Sequence, residues 1–150
     1  MSSWILMAIS AVAVQVLAPK PVEYPFKQIE QGGFSRQRDQ KLFVIRSPKD
    51  FEKYNNACGW EKPTPDVDWG SAELIAVHIG SAPSTGYGVI VKRIVKTGPK
   101  TVDVEVLKTT PPPGMMQAMH ITYPFVVVST QRLNAKVSIR VVGQTQTIRK

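Results

Sequence analysis

The sequence predicts a mainly β-sheet protein, an antiparallel β-sandwich or open barrel with one short helix. Short runs rich in valine and isoleucine recur through its second half, and segments of glycine, proline and threonine separate them. A single segment, around Pro48, has the residues that begin a helix. At 150 residues and 43% hydrophobic content, the chain is long enough to bury one core.

The predicted sheet is organised around Leu74–Ile79, a nearly continuous apolar run that is typical of a strand covered on both faces. The runs Val89–Val95 and Val102–Val106 flank Thr97–Lys100, which has the composition of a turn. They are therefore predicted to pair as a hairpin.

The second hairpin strand alternates valines with Asp103 and Glu105, which predicts one buried face and one face in water. Four further strands are predicted from their β-rich composition, at Phe26–Ile29, Lys41–Arg46, Ile121–Val128 and Lys136–Val142.

The helix is predicted to begin at Ser47, which has the side chain of an N-cap and precedes Pro48 at the first helical position. Asp50 supplies the acidic residue three positions after the cap. The helix is expected to run through Tyr54 and to end at Asn55–Asn56, which leaves residues 57–69 irregular.

The chain begins with an uncharged stretch in which Ile5–Leu17 is apolar apart from two polar residues. Such a run is too short for a comfortable membrane span and is typical of a signal peptide, although no Lys or Arg precedes it. We predict a signal peptide or N-terminal anchor at 1–18, a proline-rich linker at 19–25 and a single β-rich domain at 26–150. The expected location is secreted or periplasmic, in the cell envelope. A buried N-terminal strand or helix is the alternative.

The formal charge is +8, from nineteen Lys and Arg against eleven Asp and Glu. The basic residues are scattered and are not interleaved with stacking aromatics, which argues against nucleic-acid binding. The tail at 132–150 has no acidic residue, so a weak contact with an anionic surface is predicted there.

Motifs for catalysis, metal binding or nucleotide binding are absent from the sequence, so no cofactor is predicted. Asp66 and Asp68 place two carboxylates on one side of an extended chain and could hold Ca²⁺, but turn-forming and capping aspartates before a strand are the better explanation. Cys58, the single cysteine, is expected in a polar loop. A hydrolase that uses Asp66, Asp68 or His120 remains the catalytic alternative.

Two loops of small residues are the candidate binding elements, Gly80–Gly88 and Pro111–Met116. Loops of glycine and proline hold backbone groups at fixed angles, and Tyr and Met add adaptable apolar contacts. The alternative is that Thr85–Gly86 is a tight turn and that Tyr87 belongs to the core. The predicted partner-binding residues are Ser84, Thr85, Gly86, Tyr87, Gly88, Pro112, Pro113, Gly114, Met115 and Met116.

An ordered set of motifs resembles the C-terminal domain family of the protease complex subunit PrcB. The motifs are Pro65–Trp69, Glu73–Val77, Pro83–Tyr87, Pro111–Gly114 and Ile121–Phe125, with a looser likeness at Gly32–Ser35 and Phe51–Trp60. Thr85–Gly86–Tyr87 has one glycine where the family usually has two. A weaker similarity, through the Thr-Gly pair, is to chagasin-like protease inhibitors.

The resemblance implies an exported, non-catalytic bacterial domain associated with a surface protease. We therefore predict a protein-binding domain that acts through its Gly- and Pro-rich loops, with a protease or another envelope protein as partner. The other interpretations are the hydrolase and a structural envelope module whose basic tail meets an anionic surface.

Overall fold

Two four-stranded β-sheets and one helix make up the computed structural model, which describes residues 20–146. The predicted signal peptide at 1–18 lies outside these residues. The elements are β1 (Glu23–Tyr24), β2 (Phe26–Gly32), β3 (Gln40–Ile45), α1 (Pro48–Cys58), β4 (Ala72–Ile79), β5 (Gly88–Gly98), β6 (Thr101–Thr110), β7 (Phe125–Gln131) and β8 (Lys136–Gln146). Sheet I has the strand order β1-β5-β6-β8, and sheet II has the order β2-β7-β4-β3. The predicted sandwich is thereby confirmed.

Sheet I is built on the predicted hairpin of β5 and β6, which is confirmed. Its outer strand β8 runs parallel to β6, and every other strand pair of the two sheets is antiparallel. The short strand β1 pairs with β5 inside the range that was predicted as a linker.

The core lies on both faces of sheet II. Successive apolar side chains of β4 and of β7 point alternately to one face of the sheet and to the other. Ile75 and Val77 of β4 face sheet I, whereas Leu74 and Ala76 face the helix. All four are fully buried. The prediction that Leu74–Ile79 is a central strand covered on both faces is confirmed, since β4 lies between β3 and β7.

Helix α1 begins as predicted: the Ser47 hydroxyl accepts a hydrogen bond from the Asp50 backbone N–H at 3.1 Å. Its predicted end at Asn55–Asn56 is wrong, because the apolar stripe that packs on sheet II continues to Cys58. Gly59 then ends the helix in the left-handed region at φ +72°. Cys58 is therefore a buried helix residue, and the expected polar loop is not there.

Two expectations about individual strands are wrong. Glu105 is buried, because Arg93 of β5 and Arg140 of β8 cover it from the neighbouring strands. The strand predicted from Ile121 begins only at Phe125, since Thr122 forms an isolated bridge with Ala82. In the part of the chain that the structure describes, no helix has the length and apolarity needed to cross a membrane.

Candidate functional site

Three loops meet at one end of the sandwich, residues 33–39, 80–87 and 111–124, and together form what we call the loop end. Backbone hydrogen bonds join them. The Tyr123 N–H donates to the Gly33 carbonyl at 2.8 Å, and Ala82 and Thr122 exchange two hydrogen bonds of 2.8 and 2.9 Å. The three loops therefore form one connected structure.

Thr85 connects the first candidate loop to the end of the second. Its backbone N–H donates to the Ala118 carbonyl at 3.1 Å, and its hydroxyl accepts from the Ala118 N–H at 2.9 Å. The same hydroxyl donates to Gln117 Oε1 at 3.3 Å. Three hydrogen bonds at one residue fix the relative position of the two loops.

Gly86 is required by the shape of this junction. Its φ is +87°, and a Cβ there would lie 2.4 Å from Gln117 Oε1 and 3.1 Å from Pro111 Cβ. Tyr87 beside it is half-buried and lines a depression with Gly33 and Phe34. It is thus neither a core residue nor a fully exposed anchor.

The other predicted binding residues divide by exposure. Ser84 and Gly88 are buried. The Ser84 carbonyl accepts a hydrogen bond from the Thr122 hydroxyl, which holds the 80–87 loop against the 111–124 loop. Pro112 is half-buried, and Pro113 and Gly114 are exposed. Met115 is 39% exposed and Met116 is fully exposed.

Three exposed apolar side chains of the loop end were not among the predicted site residues. They are Phe34, Met119 and Ile121, which are 66%, 86% and 62% exposed. The Phe34 ring stacks on His120 with centroids 5.8 Å apart, which joins the 33–39 loop to the last part of the 111–124 loop. Together with the exposed Met116 of the same loop end, we call these side chains the apolar patch. The available signal was a methionine-rich segment with neither helical nor strand periodicity.

A groove of about 410 Å³ opens beside the apolar patch. Its walls include Phe34, Trp60, Ile121 and Tyr123. Arg36 also lines it, and its side chain lies over Gly59 at the end of α1. The loop end thus offers a concave apolar surface with a cation beside it.

A buried cluster lies beneath this groove, where His78 of β4 meets Tyr54 and Cys58 of α1. The Tyr54 hydroxyl is 3.0 Å from His78 Nε2, and Cys58 Sγ is 3.7 Å from the same nitrogen. Burial lowers the pKa of His78 to about 4 and raises the pKa of the Cys58 thiol. A nucleophilic cysteine requires a lowered thiol pKa. The raised pKa of Cys58 beside His78 is the opposite of that requirement.

One of the two carboxylates of the hydrolase alternative, Asp68, has structural partners. Asp68 accepts hydrogen bonds from the Gly70 N–H at 3.2 Å and the Ser71 hydroxyl at 2.8 Å, as a turn-forming aspartate does. Asp66 is exposed, and His120 stacks on Phe34. Among residues 20–146, no group of three or more His, Cys, Asp or Glu is placed to hold a metal ion.

Comparison with known proteins gives one family match, over part of the chain. The family model described as PrcB C-terminal matches residues 74–131, which run from β4 to the end of β7 and include the 80–87 and 111–124 loops. Neither the curated proteins nor the solved structures give a match, and the similarity to chagasin-like inhibitors stays a prediction. The residues that match the PrcB C-terminal family therefore include both candidate loops and the strands beside them.

Proposed function

We propose that this chain is an exported, non-catalytic domain that binds a protease or another cell-envelope protein through its loop end. The observation that carries the proposal is the apolar patch. Met116, Met119, Ile121 and Phe34 all expose most of their side chains. Soluble proteins seldom expose neighbouring large apolar side chains of this kind unless they bind something.

The supporting loops favour binding because their backbone is already ordered. Thr85, Ala82 and Thr122 hold the loops by hydrogen bonds that do not depend on a partner. A surface that is ordered beforehand loses little conformational entropy on association. The flexible methionines above it adapt to the shape of the partner at low cost.

The choice of partner follows from the family. The PrcB C-terminal match covers both candidate loops, and the family is named for a subunit of a protease complex. Burial raises the pKa of the Cys58 thiol, which argues against cysteine-dependent catalysis.

Export is proposed on the apolar run Ile5–Leu17 at the start of the chain. Intact-mass measurement of the natural protein is expected to show cleavage near Ala13 or Ala18. A soluble cytoplasmic form that retains residues 1–17 would contradict export and leave the binding proposal standing.

The binding proposal is tested by the double substitution Met116→Ser/Met119→Ser. Immobilised protein is exposed to the envelope fraction of its own organism, and the captured proteins are identified by mass spectrometry. Wild type is expected to enrich a protease subunit or its complex. The variant should bind it at least about 30-fold more weakly, because truncated interface anchors cost about 2 kcal/mol or more.

Val22→Ser is the matched control, since Val22 is a 53% exposed apolar residue whose carbonyl receives the Lys96 N–H, far along β5 from the loop end. Both proteins should melt like wild type, because none of the three side chains is buried. Equal capture by wild type and the methionine variant would remove the apolar patch from the function of this protein.

A further inference from the structure

The end of the sandwich opposite the loop end carries an open pocket of about 600 Å³, which we call the cationic pocket. Four of its six lining residues are basic: Arg46, Lys100, Arg132 and Lys136. Asn134 and Ala135 complete the lining, and no acidic residue contributes to it.

The four basic residues belong to separate parts of the chain that meet at this end of the sandwich. Arg46 follows β3, Lys100 lies in the turn between β5 and β6, Arg132 follows β7 and Lys136 begins β8. The Lys136 N–H donates to the Lys100 carbonyl at 2.8 Å, and Arg132 Nη2 donates to the Arg46 carbonyl at 2.8 Å. The first bond joins the backbones of Lys136 and Lys100, and the second joins the Arg132 side chain to the Arg46 backbone, both without any ligand.

The positive charge of the pocket is only partly compensated. Arg46 pairs with the buried Glu73 at 2.9 Å. Within residues 20–146, neither Lys100, Arg132 nor Lys136 takes part in an ion pair. Arg132 donates to the neutral carbonyls of Trp69 and Arg46, so its charge remains available to a ligand.

We propose that the cationic pocket binds a phosphate group, either free or in the headgroup of an anionic lipid. Arginine and lysine together offer the directed N–H donors and the charge that recognise phosphate oxygens. Among the described residues, none that lines the pocket is aromatic, so this lining lacks the stacking surface that single-stranded nucleic acid uses. The site is independent of the loop end and of the function proposed for it.

The test compares two charge reversals of equal size in the full chain. Lys100→Glu/Lys136→Glu changes the pocket, and Lys92→Glu/Lys96→Glu changes exposed residues of β5 that do not line it. Inorganic phosphate is titrated while backbone amide NMR shifts are followed. Sedimentation then measures binding to phosphatidylcholine vesicles with and without phosphatidylglycerol, so that attachment through the apolar N-terminal run is subtracted.

In wild type, phosphate is expected to shift amides around Lys100, Arg132 and Lys136. The pocket variant should weaken phosphate or vesicle binding about 10-fold or more, because each lost charge-assisted hydrogen bond is worth about 1.5 kcal/mol or more. The β5 variant should change it less than about 2-fold. Binding of phosphate alone assigns the site to a free anion, and binding of the anionic vesicles assigns it to lipid.

Absence of both responses in wild type, or an equal loss in the two variants, would overturn the proposal, because only net charge would then matter. Lys100→Gln/Lys136→Gln keeps the test decisive if the reversed charges disturb folding. It removes the two charges while leaving long, soluble side chains in place.

Discussion

The two ends of the sandwich differ in the part that charged side chains play in holding their loops. At the loop end, backbone groups pair with one another, as Ala82 does with Thr122. At the cationic end, the Arg132 side chain donates to the carbonyls of Trp69 and Arg46. Where backbone N–H and C=O groups bond to one another, the nearby side chains are free to be apolar. Where a guanidinium group bonds to backbone carbonyls, its positive charge stays at the surface. One fold therefore presents two chemically distinct surfaces.

Helix α1 connects the two ends. It begins at Ser47, next to Arg46 of the cationic pocket, and ends at Gly59 beneath Arg36 at the loop end. Its buried face contacts sheet II along the whole path. Substitutions that affect one end only should therefore leave the helix, and the other end, in place.

The largest expected effect is at the cationic end. Arg46→Met should lower the free energy of unfolding by about 3 kcal/mol, because it leaves the fully buried Glu73 carboxylate without its ion-pair partner. Urea denaturation measures the change. Arg38→Met, an exposed cation of the loop end, should alter it by less than about 0.5 kcal/mol. If the two variants share one midpoint, Glu73 does not depend on Arg46.

The next effect is a dependence of stability on pH that originates below the loop end. Burial lowers the pKa of His78 to about 4 from 6.5, so the unfolded chain binds more protons between these values. Stability contributed by neutral His78 is therefore complete above about pH 6.5 and falls as the pH drops toward 4. Between pH 7 and 4.5 the expected loss is about 2 to 3 kcal/mol.

His78→Gln should flatten this slope, because the side chain no longer titrates. His120→Gln, which changes the exposed histidine of the loop end, should retain it. Denaturation midpoints at several pH values for the three proteins give the comparison. A slope that survives in His78→Gln would assign the pH dependence to other groups.

The smallest expected effect on stability concerns a hydrogen bond between a side chain and the backbone at the loop end. Thr85→Val keeps the shape of the side chain and removes the hydroxyl that accepts from the Ala118 N–H. It should cost about 1 kcal/mol of stability. Thr101→Val removes a hydroxyl pair with Thr97 in the exposed β5–β6 turn and should cost less than about 0.5 kcal/mol. Equal costs would mean that the loop end is no more tightly tied than an ordinary turn.

Local signals explain what the sequence predicted well. The start of α1 depends on Ser47 and Asp50, which are three residues apart, and the central strand depends on an unbroken apolar run. Both signals act within one element. The end of the helix was harder, because it depends on the burial of Cys58 against sheet II.

The remaining features depend on residues that are distant in the chain. Glu105 is covered by Arg93 and Arg140, and only strand pairing brings the three together. The cationic pocket likewise joins Arg46 to Lys136 across the molecule. The candidate loops were found from their glycines and prolines, but the exposure of Phe34 and Ile121 follows from tertiary packing alone.

The parallel pairing of β8 with β6 has a consequence for the order of synthesis. Sheet I can form its β5–β6 hairpin early, but the outer edge of β6 stays unpaired until residues 136–146 have left the ribosome. Until then Glu105 lacks the second of its two arginines, Arg140. Sheet I of the nascent chain is thus incomplete until β8 has emerged. The outer edge of β6 therefore stays open to other contacts for as long as the chain between β6 and β8 is being synthesised.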